Sequence, residues 1–189
     1  MGFMDKKELI LSKAERLFAE KGFYGLGLSE LLSSCGIPKG SFYYYFPDGK
    51  IQLIQEVLKY SYGRMANSIR NNILIKDTAS ESFEYMADRL SAHIEKKHHL
   101  GSMLMSMIAI ESVYLDEEVN VTCRAIYADW QTLYAQYLLD CGFAKETVRV
   151  KAQAIFALMH GSLISAWIKQ DPEDLLLAKA TICEILKEK

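Results

Sequence analysis

Proline is scarce in this chain: Pro38, Pro47 and Pro172 are the only three in 189 residues. A proline inside a helix costs about 3 kcal/mol, so the long stretches between them are free to be helical. Long uncharged apolar runs are missing as well, and without one of about 18 residues no membrane-spanning helix is expected. Cys35, Cys123, Cys141 and Cys183 stand far apart and form no CxxC pair, so they read as small buried hydrophobes carrying reduced thiols. Residues 1–6 lack the apolar core of a signal peptide, and Lys6 stands where a myristoylation site needs Ser or Thr. A cytoplasmic protein is the expectation. Strong charge of one sign is absent too. The formal net charge is −2, and the first 50 residues hold seven basic against six acidic side chains. If a polyanion is the partner, a local patch must bind it. No HExxH, phosphate-binding glycine loop, paired acids or nucleophile–base pairing occurs, so neither an enzyme nor a cofactor is expected. Adjacent His98 and His99 cannot share a helical face, and no metal site is read there.

What is present is helical periodicity almost from end to end, which predicts an all-α protein of about nine helices. Ile10, Ala14, Leu17 and Phe18 recur at helical spacing in a first helix over 5–21, with Asp5 as N-cap and Gly22 as the stop. A short helix over 28–34 follows, capped by Gly27 or Ser29 and ended by Gly36. Pro38 opens a third helix running to Phe46. Asp48 is the expected cap of a long helix over 49–71. Thr78-Ala79-Ser80-Glu81 is a capping box opening a helix to about Lys97. Further helices are expected over 102–114, 117–141 and 145–170. A last one is announced by Asp171-Pro172-Glu173-Asp174: Asp171 as N-cap, Pro172 at the first helical position and acids at the positive end of the helix dipole.

The segment LSELLSSCGIPKGSFYYYFPDGK, residues 28–50, reads as two short helices joined by a tight turn. Leu28, Leu31, Leu32, Ile37, Phe42 and Phe46 supply an inward face. Lys39, Gly40, Ser41, Tyr43 and Tyr44 look outward. A mobile cation, a glycine permitting close backbone approach and three hydroxyls suit phosphates and a groove floor. A run of tyrosines can equally be a half-buried aromatic face, which is the reading for Tyr45. Amides at the start of the fourth helix, beside Lys50, offer one more phosphate site. Residues 9–50 resemble the DNA-binding domain of the TetR family of repressors, on Ile10, Ala14, Leu17, Phe18, Gly22, Gly36 and the run Lys39 to Phe46. The one-residue-longer Pro47-Asp48-Gly49-Lys50 is similar to the LmrA/QdoR-like branch. This resemblance implies a helix-turn-helix domain over 1–50 and a ligand-binding and dimerisation domain over 51–189. It implies a homodimer built through the last two helices, and DNA contacts at Ser29, Lys39, Gly40, Ser41, Tyr43, Tyr44 and Lys50. Many relatives carry Thr or Ser where this chain has Leu26 and Gly27, so the second helix is more weakly capped here.

Beyond residue 50 the residues speak for themselves. Residues 102–115 and 147–168 are apolar on more than one face, as central helices that line a cavity are. Met103, Met107, Tyr114, Trp130, Tyr134, Phe156, His160 and Trp167 are the candidate lining for a lipophilic, aromatic effector. The plainer alternatives are a methionine stripe that is simple core and a hydrogen-bonded core histidine at His160. Small residues (Ala154, Ala157, Gly161, Ser162, Ser165) and the stripe Leu176, Leu177, Ala180, Ile182 and Ile185 are the candidate dimer surface. The expectation is a ligand-responsive repressor that a small molecule releases from a palindromic operator. The alternative is an architectural DNA-binding factor of the same fold without an inducer.

Overall fold

A computed structural model of the chain describes residues 5–96 and 101–188. Among them are nine helices and no strands: α1 (Lys6–Gly25), α2 (Leu28–Cys35), α3 (Lys39–Tyr45), α4 (Gly49–Asn72), α5 (Ala79–Glu95), α6 (Gly101–Leu115), α7 (Glu117–Asp140), α8 (Lys145–Lys169) and α9 (Glu173–Ile185). The all-α expectation holds. His98, His99 and Lys97 lie outside the described residues. Local chemistry explains most of the ends. The Thr78–Glu81 capping box forms reciprocally, with Glu81 N donating to Thr78 Oγ1 at 3.2 Å and Thr78 N to Glu81 Oε2 at 3.0 Å. Asp171 accepts from the amide of Glu173 at 2.9 Å, but α9 begins at Glu173 with Pro172, not Asp171, as its N-cap. Asp116, just before α7, accepts from Glu118 N at 2.8 Å. At Asp48 it is the backbone amide that is engaged, donating to Gln52 Oε1 at 3.1 Å.

The chain divides into two compact units. The first holds residues 5–65 and 101–126: α1, α2, α3, most of α4, α6 and the start of α7. Its core joins Ile10, Ala14 and Phe18 of α1 with Leu31, Phe42, Phe46, Ile54 and Leu58, and with Leu104 and Ile108 of α6. Leu17, expected in that stripe, is only half-buried and lines a surface cleft with Lys13, Arg16, Glu20 and Ser34; Leu11 takes the inward place instead. The second unit holds residues 66–96 and 127–188, in which α9 packs on α5 and α8. Phe83, Tyr134, Ile155, Phe156, Leu163, Leu175 and Ile182 are buried there. α4 and α7 each contribute to both units.

Candidate functional site

The α2–α3 pair is built by its turn. Gly36 adopts the left-handed conformation (φ 66°, ψ 35°), and the amide of Ile37 bonds to Leu32 O at 3.1 Å, closing α2 in a Schellman-type cap. Gly27 is the N-cap and makes no side-chain bond, so the second helix is weakly capped at its start. Pro38 serves as the N-cap of α3 rather than its first helical residue, and Phe42 N bonds to its carbonyl at 3.2 Å. Phe42 and Phe46, both fully buried and 5.4 Å apart, pull one side of α3 inward. The other side stays open. Lys39 and Gly40 are exposed, Ser41 is half-buried, and Tyr43 and Tyr44 are 41 % and 80 % exposed. The Lys39 ammonium lies 5.9 Å from the Tyr43 ring. A Cβ on Gly40 would meet nothing within 4 Å. Nothing inside the protein therefore asks for glycine there; a backbone approaching from outside would. Ser29 is exposed on α2. Tyr45 is half-buried, edge-on to Tyr44 at 5.1 Å.

Lys50 lies elsewhere. Its ammonium donates to the carbonyl of Phe23 and sits 4.1 Å from the centroid of the Phe23 ring. Partial burial pushes its pKa down, while the nearby Glu111 carboxylate pulls the other way. Glu111, on α6, accepts from the amide of Phe23 at 2.9 Å, and Tyr24 donates to Tyr114 O at 3.2 Å. Gly22 makes this junction possible: it kinks α1 at φ 68°, and a Cβ there would lie 2.7 Å from Glu111 Oε1. Glu111 carries no motif. A lone acid in the apolar run SMLMSMIAIESVYL was the one available signal.

Of the effector-lining candidates, Trp130, Tyr134, Phe156 and His160 are brought together in the second unit. Phe156 stacks on His160 at 4.1 Å, Trp130 meets His160 edge-on at 5.0 Å, and Tyr134 lies 6.4 Å from Phe156. Sequence reasoning missed Tyr127, whose ring stands 5.5 Å from His160. Trp167 is half-buried. Met103 and Met107 belong to the first unit, buried and half-buried respectively. Tyr114, also there, is 85 % exposed, and its ring faces solvent instead of an enclosed lining. No cluster of three or more metal-ligating side chains occurs among the described residues. On α8 an apolar line of Val150, Ala157, Gly161, Ile164 and Ile168 is exposed or half-exposed, and on α9 Leu176, Leu177 and Ala180 are open. Ile182 and Ser165 do not belong with them. Ile182 is 1 % exposed, and Ser165 donates to Asp174.

Residues 10–57 match the profile of bacterial regulatory proteins of the tetR family, and residues 79–181 that of the C-terminal domain of LmrA/YxaF-like transcriptional regulators. The transcriptional regulator LmrA of Bacillus subtilis is 26 % identical over 187 residues, covering 99 % of this chain and all of LmrA. A regulator from the lacX 3′ region of Lactococcus lactis is 30 % identical over 168 residues, with 87 % and 85 % of the two chains covered. Among solved structures, the reduced form of Escherichia coli NemR superposes with a TM-score of 0.87 at 24 % identity, over 98 % of each chain.

Proposed function

The chain belongs to the TetR family of transcriptional regulators, in its LmrA-like branch, and from that premise we propose that it is a ligand-responsive repressor of a palindromic operator. The observation that carries the reading is the open face of α3, where Lys39, Gly40, Ser41, Tyr43 and Tyr44 are offered outward while Phe42 and Phe46 hold the helix down. Two such helices, one from each subunit of a homodimer, enter successive major grooves about 34–36 Å apart. Ser29 adds a backbone contact from α2. The dimer forms through the open apolar lines of α8 and α9. Lys50 contributes through its neighbours' amides, since its own ammonium is held at Phe23. Working on chromosomal DNA, the protein acts in the cytoplasm; among the described residues no helix is long and apolar enough to cross a membrane.

The effector is lipophilic and aromatic, and binds against the ring cluster of Trp130, Tyr134, Phe156 and His160. Because α4 runs through both units, a ligand that favours one arrangement of its C-terminal part biases the position of α3. Linkage then demands that operator weaken ligand binding by the same factor as ligand weakens operator binding. The DNA claim is tested by fluorescence anisotropy with duplex from the chain's own upstream region. Lys39→Ala and Tyr43→Ala are expected to weaken binding about tenfold without unfolding, and Lys39→Ala to lower the salt slope by about one. Unchanged affinity in both variants overturns the assignment of α3. Operator binding that no lipophilic compound in a broad panel releases leaves the architectural alternative.

A further inference from the structure

His160 carries an unspent hydrogen-bonding atom. Its ring donates one turn back to the carbonyl of Phe156, and Nε2 is the nitrogen left without a partner, buried from solvent. Burial holds the imidazole neutral, with its pKa pushed down to about 4. Donation to Phe156 therefore uses the Nδ1 proton and leaves Nε2 as a bare acceptor lone pair. Around it stand three rings: Phe156 stacked at 4.1 Å, Trp130 edge-on at 5.0 Å and Tyr127 at 5.5 Å. A lone pair buried among rings is penalised while it stays unmet, and a bound group that meets it recovers that penalty. We propose that His160 Nε2 is the polar anchor of the effector site, accepting from a neutral N–H or O–H borne on an aromatic ring. A cation would be disfavoured by the same desolvation that keeps the histidine neutral, and a pure hydrocarbon or an acceptor-only ligand would leave the lone pair unmet. The inference rests on the effector reading above and adds the chemistry by which a ligand would be selected.

The test uses two probes that differ in one hydrogen-bond donor: indole, and 1-methylindole, in which the N–H is replaced. Isothermal titration calorimetry is run on the full-length wild type, on His160→Phe, which keeps a ring of similar size, and on His160→Gln, whose amide oxygen can accept near the Nε2 position. Wild type is expected to bind indole about tenfold more tightly than 1-methylindole. His160→Phe should erase that preference and His160→Gln should retain part of it. Equal affinity of the two probes for wild type overturns the anchor, a water molecule then being what satisfies Nε2; the effector reading would stand. A preference that persists in His160→Phe places the acceptor elsewhere and overturns it too. Binding of neither probe up to millimolar concentration removes the ring cluster as the site, whereas the effector reading is decided separately by release of operator across the compound panel.

Discussion

At the scale of single residues, two side chains and one glycine carry most of what is specific to this chain. Gly22 holds a backbone conformation that L-residues avoid, and a Cβ there would also push aside the Glu111 carboxylate that caps the Phe23 amide. Glu111 turns an otherwise orphaned amide at the α1 kink into a charge-assisted bond. His160 has a consequence for pH. Its folded pKa of about 4 lies below the ordinary 6.5 because burial disfavours the charged ring. As pH falls, the unfolded chain takes up this proton first. The histidine's contribution to stability is therefore complete above pH 6.5 and drains away as pH falls toward 4. Between pH 7 and pH 5 the loss amounts to about 2 kcal/mol. Urea unfolding at the two pH values should show it in wild type and show it reduced in His160→Phe. An identical fall in both proteins would mean that other groups cause it.

At the scale of elements, the helices were largely legible from their punctuation. The Thr78 box and Gly36 are chemical signals acting within four residues, and each begins or ends a helix where it stands. Which face of a helix is inward is a different matter. On α9 the residues Leu176, Leu177, Ala180, Ile182 and Ile185 read as one apolar stripe, yet the packing of α5 and α8 divides them: Ile182 is buried while Leu177 is 61 % exposed. The division sets up a paired prediction. Gly161→Glu, on the open line of α8, should give monomers in sedimentation with helical content unchanged. Ile182→Glu should instead unfold the second unit, since a buried unpaired charge costs several kcal/mol. A folded monomeric Ile182→Glu together with a dimeric Gly161→Glu would reverse the assignment of faces.

At the scale of the whole molecule, a net charge of −2 offers no general attraction to DNA, so binding must come from geometry and from a few local cations. One helix-turn-helix binds too weakly to find its site among genomic competitors, and doubling the contact is the remedy. The protein is therefore expected to sediment as a dimer at micromolar concentration and to saturate an operator duplex at two chains per duplex. A monomer under those conditions, or one chain per duplex at saturation, would sink that reading. The packing units also group the chain in a way linear reading did not reach. A boundary at residue 50 follows the end of the helix-turn-helix motif, whereas α6 and the start of α7 pack with that motif in the same unit.

The sequence by itself determined the helices and the family, because caps, proline positions and the run from Lys39 to Phe46 act through neighbours close along the chain. Some ends it missed: α1 kinks at its expected stop Gly22 and runs on to Gly25, and Pro38 and Pro172 stand at the N-cap rather than inside their helices. It also identified the outward residues of α3, since Phe42 and Phe46 leave a seven-residue helix one way to face. Only the tertiary structure decided that the Lys50 ammonium turns to Phe23, that Glu111 reaches an amide 88 residues away, and that Tyr127 joins the rings around His160 while Tyr114 lies in solvent. The physical reason is range. Helix formation is settled over one or two turns, but burial, and with it the fate of every charge and lone pair, depends on which distant segment arrives to cover it.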